Sequence, residues 1–470
     1  MSFRDSLPWP SGARLDSVEV IAGDAVRPYL APEQARLGLH EVRVDARLDG
    51  WPRGQLTMAA APLTGLAADG AAATYRHGMT EHGLVARMPG DRVLVALEEG
   101  DPAWQDPAFL ELVAVVAQED APPTVGIGLL GYGAIGAEHA QAILATPGLR
   151  LVAVCDTSAA RVEAALATAP AARASSDPSD LLADPHVDAV IVSTPPNSHA
   201  QWALAALDAG KHVIVEKPMA LTTAECDAIL ARAEELGLTA LVYQNRRFDP
   251  DYRALKHVAR VGLLGEVFHV EAFIGGYAHP CNYWHSDEAI SGGALFDWGS
   301  HVIDQVLDLI PGEVEQVTAL EQKRHWIDVT NADHSRMTLL FDGGQEATFI
   351  HSDLAAALKP RWYVLGTRGA VVGDWRTASV VARSPIGTLE EDVLAPADSP
   401  PTMSLHAPDG SVTVLSPPPA ERHPFHADLA LWLRYGLAPR VRGQQSRRVV
   451  AMLQAAQESA LLGGAAVKPS

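Results

Sequence analysis

Apolar and polar residues alternate with a period of two along SVEVIAG, HEVRVDARL, GQLTMAAAPL, GLVARM, DRVLVALEEG and FLELVAVVAQ, with Gly and Pro punctuating the intervals. That period marks strands with one buried face. An all-β domain is therefore predicted over residues 1–122, sandwich-like or barrel-like in size. The polar, Pro-containing string QEDAPPT at 118–124 reads as a joint, and the pattern changes after it.

From 124 the runs TVGIGLLG, LRLVAVCD, VDAVIVST, KHVIVEKP and TALVYQN are short, apolar and β-branched, and each is followed by helical periodicity. This βαβα order implies a parallel sheet with helices on both faces, so residues 123–245 are expected to form a Rossmann dinucleotide-binding domain. Strand candidates then follow one another with little helix between them: GEVFHVEAFIG, VEQVTALEQ, SRMTLLFD, QEATFIHSDL, RWYVLGTRG and AVVGDW. Residues 246–470 read as an α+β substrate domain built on a largely antiparallel sheet. The Pro-, Asp- and Ser-rich stretch 386–420 is expected to be irregular, and HADLALWLRYG and SRRVVAMLQAAQESALLG to be two closing helices.

Composition narrows the function classes. The 470 residues are 48% hydrophobic and 20% charged, as packed domains are. Fifty-seven acidic against 36 basic residues give a net charge of −21, which argues against a chain-wide grip on nucleic acid or anionic lipid. Three scattered cysteines, Cys155, Cys226 and Cys281, build neither a disulfide framework nor a paired zinc site. The first residues, MSFRDSLPWPSGARLDS, lack an apolar run of signal-peptide length, and no segment approaches the ~18 apolar residues of a membrane span. A soluble, cytoplasmic protein is expected.

The string GYGAIG (Gly131, Gly133, Ala134, Ile135, Gly136) follows the first strand of the second domain and opens a helix. A tight turn at Gly131, close approach to a pyrophosphate at Gly133 and close helix packing at Gly136 are what dinucleotide binding asks of these positions. Asp156 ends the next strand, near the ~20-residue spacing of the acid that binds the adenosine ribose. A carboxylate there repels a 2′-phosphate and favours NAD, with NADP possible because Arg161 lies close by.

Strand ends face the ligand crevice of a doubly wound sheet. STPPNSHA and VEKPMA therefore put Thr194, Pro195, Asn197, His199, Glu216 and Lys217 beside the cofactor. A partly desolvated Lys217 suits polarising or deprotonating a substrate alcohol. In FDWGSHVIDQ, Asp297 and His301 are four apart, so on a helix they share one face, and a histidine of near-neutral pKa oriented by a carboxylate is an acid/base pair. Asp304 is expected to hold that helix or the histidine.

Taken together and in this order, GYGAIG, Asp156, STPPNSH, EKP and GGALFDWGSH make residues 123–470 resemble the glucose-fructose oxidoreductase and inositol dehydrogenase (Gfo/Idh/MocA) family. The resemblance implies a Rossmann domain holding NAD(P), a C-terminal domain with an open mixed sheet that often makes dimer contacts, and oxidation of a sugar or cyclitol hydroxyl or the reverse. It assigns Lys217 to the EKP lysine, Asp297 to the motif aspartate and His301 to the proton-transferring histidine. YQNRRFDPDY is similar to the scyllo-inositol dehydrogenase-like branch, in which Asn245 and Arg246 would line the crevice; that branch often prefers NADP. A homo-oligomer, dimer or tetramer, is implied. The first 120 residues lie outside the resemblance; Trp9, Trp51, Tyr75 and Trp104 there could offer sugar-stacking faces, and an oligomer contact or a lid is an equal reading.

HPCNYWH brings His279, Cys281 and His285 together, but no fourth ligand is indicated and no metal is expected. Tyr283, Trp284 and His285 instead suit contact with a ring bearing hydroxyls. Two alternatives to the dehydrogenase reading use the same residues. One is an NAD-dependent glycoside-cleaving enzyme working by transient C3 oxidation and elimination. The other is a sugar or NAD sensor without chemistry.

Overall fold

The computed structural model describes residues 124–470 apart from 147, 282, 376–400, 417–422 and 436–438, together with the backbone of six strands between residues 13 and 96. Those strands are β1 (Ala13–Ala22), β2 (His40–Leu48), β3 (Gly54–Ala59), β4 (Ala72–His77), β5 (Thr80–Met88) and β6 (Arg92–Ala96). They pair in the order β1-β2-β3-β6-β5-β4, with β3 and β6 parallel. FLELVAVVAQ, Trp9, Trp51 and Trp104 lie outside the described residues, as does the side chain of Tyr75.

From Thr124 strands and helices alternate: β7 (Val125–Leu130), α1 (Ala134–Ala145), β8 (Leu149–Cys155), α2 (Ala159–Thr168), β9 (Arg173–Ser175), α3 (Pro178–Leu182), β10 (Ala189–Val192), α4 (His199–Asp208), β11 (His212–Val215), α5 (Thr223–Glu235) and β12 (Ala240–Val242). All pairings are parallel, in the order β12-β11-β10-β7-β8-β9. Every residue of β7 and β10 is buried, because helices cover both faces, and this is why these strands read as unbroken apolar runs. The chain builds outward from β7 to β9, crosses over, and builds the other way from β10. The crevice at that reversal, outside the carboxyl ends of β7 and β10, is where such sheets bind ligands.

The next elements are α6 (Pro250–Arg260), β13 (Val267–Gly275), α7 (Glu288–Ser291), α8 (Ala294–Leu309), β14 (Val314–Gln322), β15 (His334–Phe341), β16 (Glu346–Ser352), β17 (Trp362–Gly366), β18 (Gly369–Asp374), β19 (Thr402–His406) and β20 (Val412–Val414), closed by α9 (Pro424–Tyr435) and α10 (Gly443–Leu461). They make one eight-stranded sheet, β14-β15-β16-β13-β17-β18-β19-β20, antiparallel except where β13 meets β16. The alternation along β15 puts Met337, Leu339 and Phe341 in the core, facing the helices α8 and α10 that pack on this sheet. The opposite face carries Thr338, Leu340 and, on β17, Tyr363 toward solvent.

Part of the stretch read as irregular is ordered: β19 and β20 form a hairpin around Pro408-Asp409-Gly410. Gly410 there has φ +85°, and the Pro-Asp-Gly turn signal explains a hairpin that the local excess of Pro, Asp and Ser obscured. α10 packs on β14 and also on α5 and β12, fastening the parallel sheet to the antiparallel one. A Cβ at Gly443 would lie 2.7 Å from the Ala240 carbonyl, so the start of α10 admits no side chain.

Candidate active site

The glycine loop has the shape that a dinucleotide needs. Gly131 sits at φ +95°, and a Cβ there would stand 2.3 Å from the Ser193 carbonyl oxygen. A Cβ at Gly136 would meet the Gly131 carbonyl at 2.4 Å, whereas nothing lies within 4 Å of one at Gly133. Tight turn, close helix packing and an open approach thus fall on the three glycines in that order, with Ala134 and the exposed Ile135 opening α1. Asp156 is buried, its carboxylate accepting from the backbone N–H of Tyr132 (2.7 Å) and of Ser158 (2.8 Å), which ties the end of β8 to the glycine loop. Arg161 Nη1 stands 3.6 Å from the same carboxylate.

After β10, Thr194 and Pro195 are partly exposed and Asn197 is exposed. His199 differs from expectation. It is 1% exposed, and its ring lies between the carbonyls of Pro218 (2.7 Å) and Thr194 (2.8 Å), so it braces two loops instead of presenting a nitrogen to the crevice. Glu216 is also turned inward, with Oε1 2.8 Å from His139 Nε2.

Lys217, from the end of β11, reaches α8: its Nζ donates to Asp297 Oδ1 at 2.6 Å and to the Asp297 carbonyl at 3.3 Å. The expected pairing of Asp297 with His301 is therefore replaced by one with Lys217. Burial alone would raise the Asp297 pKa, but Lys217, with His285 and His351, holds it well below the usual carboxylate range. His301 follows one turn later, buried, its ring 5.9 Å from that of Trp298 and its Nδ1 without a hydrogen-bond partner. The near-neutral pKa expected for it is not what the site provides. Burial first, then the charges of Lys217, Arg246 and Arg361, push it well below the ordinary value, and His301 is neutral at pH 7.

His285 stacks on Trp284 with centroids 3.6 Å apart, and Tyr283 meets it edge-on at 4.8 Å. Burial lowers the His285 pKa to about 4, with Asp297 opposing the shift and Lys217 adding to it, so this loop adjoins the Lys217–Asp297 pair. Arg246 pairs with Asp249 at 3.1 Å, its guanidinium 4.6 Å over Trp298, while Asn245 Oδ1 lacks a partner. Arg247 takes both oxygens of Asp304 at 2.6 Å, which gives Asp304 its role: it holds α8 to the turn before α6. His279 pairs with Asp328 at 2.8 Å, and Cys281 Sγ lies 3.4 Å from Ser286 Oγ.

Three residues at this site escaped the sequence reading. Trp298 lies inside the motif, and its ring carries the Arg246 guanidinium. His351 on β16 and Arg361 before β17 act on Asp297 and His301 from strands more than 45 residues downstream, a proximity that only the sheet creates. Asn245 Oδ1, Arg246 Nε, His285 Nδ1, His301 Nδ1 and Arg361 Nη1 are buried without hydrogen-bond partners, as suits a site built for a polar ligand.

The neutral buried histidines set a pH dependence. His199, His285, His301 and His426 all have pKa values lowered chiefly by burial, so below about pH 6.5 the unfolded chain takes up protons that the folded chain refuses. Stability is then lost as pH falls, by up to about 1.4 kcal/mol per pH unit for each histidine. For His285 the loss levels off below about 4. Thermal unfolding should show Tm declining from pH 7 to pH 5; a flat profile over that interval would contradict the burial described.

Two family descriptions match the chain: the oxidoreductase family with an NAD-binding Rossmann fold over residues 125–244, and the GFO/IDH/MocA C-terminal domain over 252–372. The uncharacterized oxidoreductase YdgJ of Escherichia coli is 32% identical over 251 residues, 53% of this chain and 70% of that one. The scyllo-inositol 2-dehydrogenase (NADP(+)) IolW of Bacillus subtilis is 30% identical over 246 residues, 52% and 67% of the two chains. A solved NAD-binding protein from Listeria innocua superposes with a TM-score of 0.63 at 27% identity, over 74% of this chain and 97% of the other. With the glycine loop, the parallel sheet and the mixed sheet in place, these likenesses make the chain a member of the Gfo/Idh/MocA family of NAD(P)-dependent oxidoreductases.

Proposed function

We propose that the protein oxidises a secondary hydroxyl of a sugar, sugar derivative or cyclitol, or reduces the corresponding ketone. The observation that carries this reading is the 2.6 Å Lys217–Asp297 pair, whose lysine charge also acts on a buried, neutral His301, in a chain whose glycine loop is shaped for a dinucleotide. Gly131, Gly133, Ala134, Ile135 and Gly136 would hold the pyrophosphate, Asp156 the ribose, and Thr194, Pro195 and Asn197 the nicotinamide side. The bound dinucleotide would supply the hydride acceptor. Lys217, anchored by Asp297, donates a hydrogen bond to the reacting oxygen. The cations around His301 favour a developing alkoxide, and His301 takes the hydroxyl proton on its neutral ring. Asn245, Arg246, Tyr283, Trp284 and His285 contact the remaining ring.

The same reading divides the chain at 1–122, 123–245 and 246–470, with an all-β first part. It places the protein in the cytoplasm, which suits its free Cys155, Cys226 and Cys281, and no described helix is long and apolar enough to cross a membrane. It also includes self-association through the sheet face bearing Leu340 and Tyr363, which light scattering would detect as a dimer or larger.

The test is absorbance at 340 nm while NAD or NADP is added with a panel of inositols, aldoses, sugar acids and glycosides. Net cofactor reduction by one of them is expected. Glycoside cleavage without net reduction would move the elimination chemistry ahead, and cofactor binding with no turnover of any kind would favour a sensor. Asp156→Ser should raise the NADP/NAD preference about tenfold by removing one like-charge contact of ~1.4 kcal/mol. An unchanged ratio of kcat/KM values would mean that the carboxylate does not face the ribose.

A further inference from the structure

Behind Lys217 lies a chain of buried polar groups that hydride transfer does not use directly. His426 Nε2 is 2.9 Å from His139 Nδ1, His139 Nε2 is 2.8 Å from Glu216 Oε1, and Glu216 Oε2 accepts the backbone N–H of Lys217 at 3.1 Å. Both histidines are 1% exposed, and the rings of Tyr243 (4.4 Å from His139) and Phe425 (4.8 Å from Tyr243) wall them in. We propose that His139 is a positioning residue for Lys217, acting through Glu216 and fixed in one tautomer by His426.

Hydrogen-bond inventory gives the chain a direction. A carboxylate only accepts, so His139 carries its proton on Nε2 and donates to Glu216. His139 Nδ1 is then the acceptor for the Nε2–H of His426, and only a lone pair is left unmet at the buried His426 Nδ1. Burial, with His139 and His423 nearby, keeps His426 neutral, as this arrangement requires.

The three groups come from separate parts of the fold. His139 rides on α1, the helix that opens at the glycine loop; Glu216 directly follows β11; His426 lies on α9. Glu216, clasped at Oε1, has its other oxygen left to fix the peptide from which the Lys217 side chain departs. That departure sets whether Nζ arrives 2.6 Å from Asp297, a residue 80 positions away. Without the His139 donor, Glu216 Oε1 is left buried without its partner, which favours swinging the carboxylate out of its present place and so away from the Lys217 N–H.

The inference rests on the reading of Lys217 as the group at the reacting hydroxyl, but its first test needs no turnover. Reductive methylation of the full-length protein, read by peptide mass spectrometry with Lys256 and Lys359 as internal references, reports how firmly Asp297 holds the Lys217 amine. His139→Leu should speed Lys217 labelling about tenfold, the equivalent of losing one charge-assisted hydrogen bond. His139→Gln, whose amide N–H reaches the position of Nε2, should recover the wild-type rate. If the leucine variant does not fold, His139→Asn, polar but too short to reach Glu216, should show the same acceleration. Unchanged labelling in a folded Leu or Asn variant, or equal acceleration in the Gln variant, overturns the proposal. On a substrate found in the 340 nm assay, His139→Leu should lower kcat about tenfold or more with the KM for the dinucleotide unchanged, and His139→Gln should restore it. A wild-type protein inactive on every polyol, with the labelling result intact, would remove the dehydrogenase reading while leaving the positioning role supported.

Discussion

Replacing Lys217 with alanine is expected to lower kcat/KM about 1000-fold while leaving dinucleotide affinity near wild type, the loss typical of removing a positioned proton-handling or polarising group. The dinucleotide would be held by the glycine loop and Asp156, which Lys217 does not touch, so fluorescence titration with NADH should separate binding from chemistry. The same substitution exposes a second effect. Asp297 owes its low pKa to Lys217 despite burial. Without the amine, the partly buried carboxylate in the first turn of α8 loses its lysine partner, which should cost about 1.5–3 kcal/mol of stability. Adding Asp297→Asn to Lys217→Ala should return most of that stability and none of the activity. A Lys217→Ala protein that keeps even a tenth of wild-type kcat/KM would remove Lys217 from the reaction.

The second large effect is on folding. Arg247 and Asp304 form a two-pronged pair at 2.6 Å with side chains 9% and 1% exposed, and Arg247 Nη1 also reaches the Arg440 carbonyl (3.2 Å) and Gln445 Oε1 (3.0 Å). Removing one member of a buried pair leaves the other charge uncompensated, at a cost of about 3–5 kcal/mol. Arg247→Ala should therefore lower Tm by roughly 6–10 °C. The double replacement Arg247→Met/Asp304→Leu, which leaves no lone charge, should be less destabilised than either Arg247→Ala or Asp304→Ala. Equal Tm values for wild type and Arg247→Ala would show that the pair adds nothing net.

The two sheets of residues 124–470 and the glycine loop were legible because their physical constraints are local. A parallel strand covered on both faces must be apolar throughout, as β7 and β10 are. The turn at Gly131 and the close approach at Gly136 admit only glycine. Lys217, Asp297 and His301 were also picked out by local strings. Their partnership was not: a spacing of four on one helix suggested Asp297 with His301, while the structure gives Asp297 to a lysine 80 residues earlier. Distances across the fold decide such pairings, and no local pattern encodes them. For the same reason the string alone leaves Asp304 two roles, which its pairing with Arg247 decides, and nothing local marks His351 or Arg361. The pKa of His301 is not readable from the string because it depends first on burial in the assembled fold and then on three cations brought in from separate elements. Glu216 directly follows β11 and His199 opens α4, but their side chains turn inward to partners that the strings do not name.

The last helix, α10, gives the order of synthesis a consequence. A nascent chain that has reached Pro439 already contains Gly131, Lys217, Asp297 and His301, yet it lacks Gln445, which Arg247 reaches, and the helix that packs at once on α5, β12, α8 and β14. Every residue proposed for the chemistry is thus made well before the element that fastens the two sheets together. Maturation of the site therefore waits for α10, and a truncation before Gly443 that spares all of these residues is expected to leave the protein inactive.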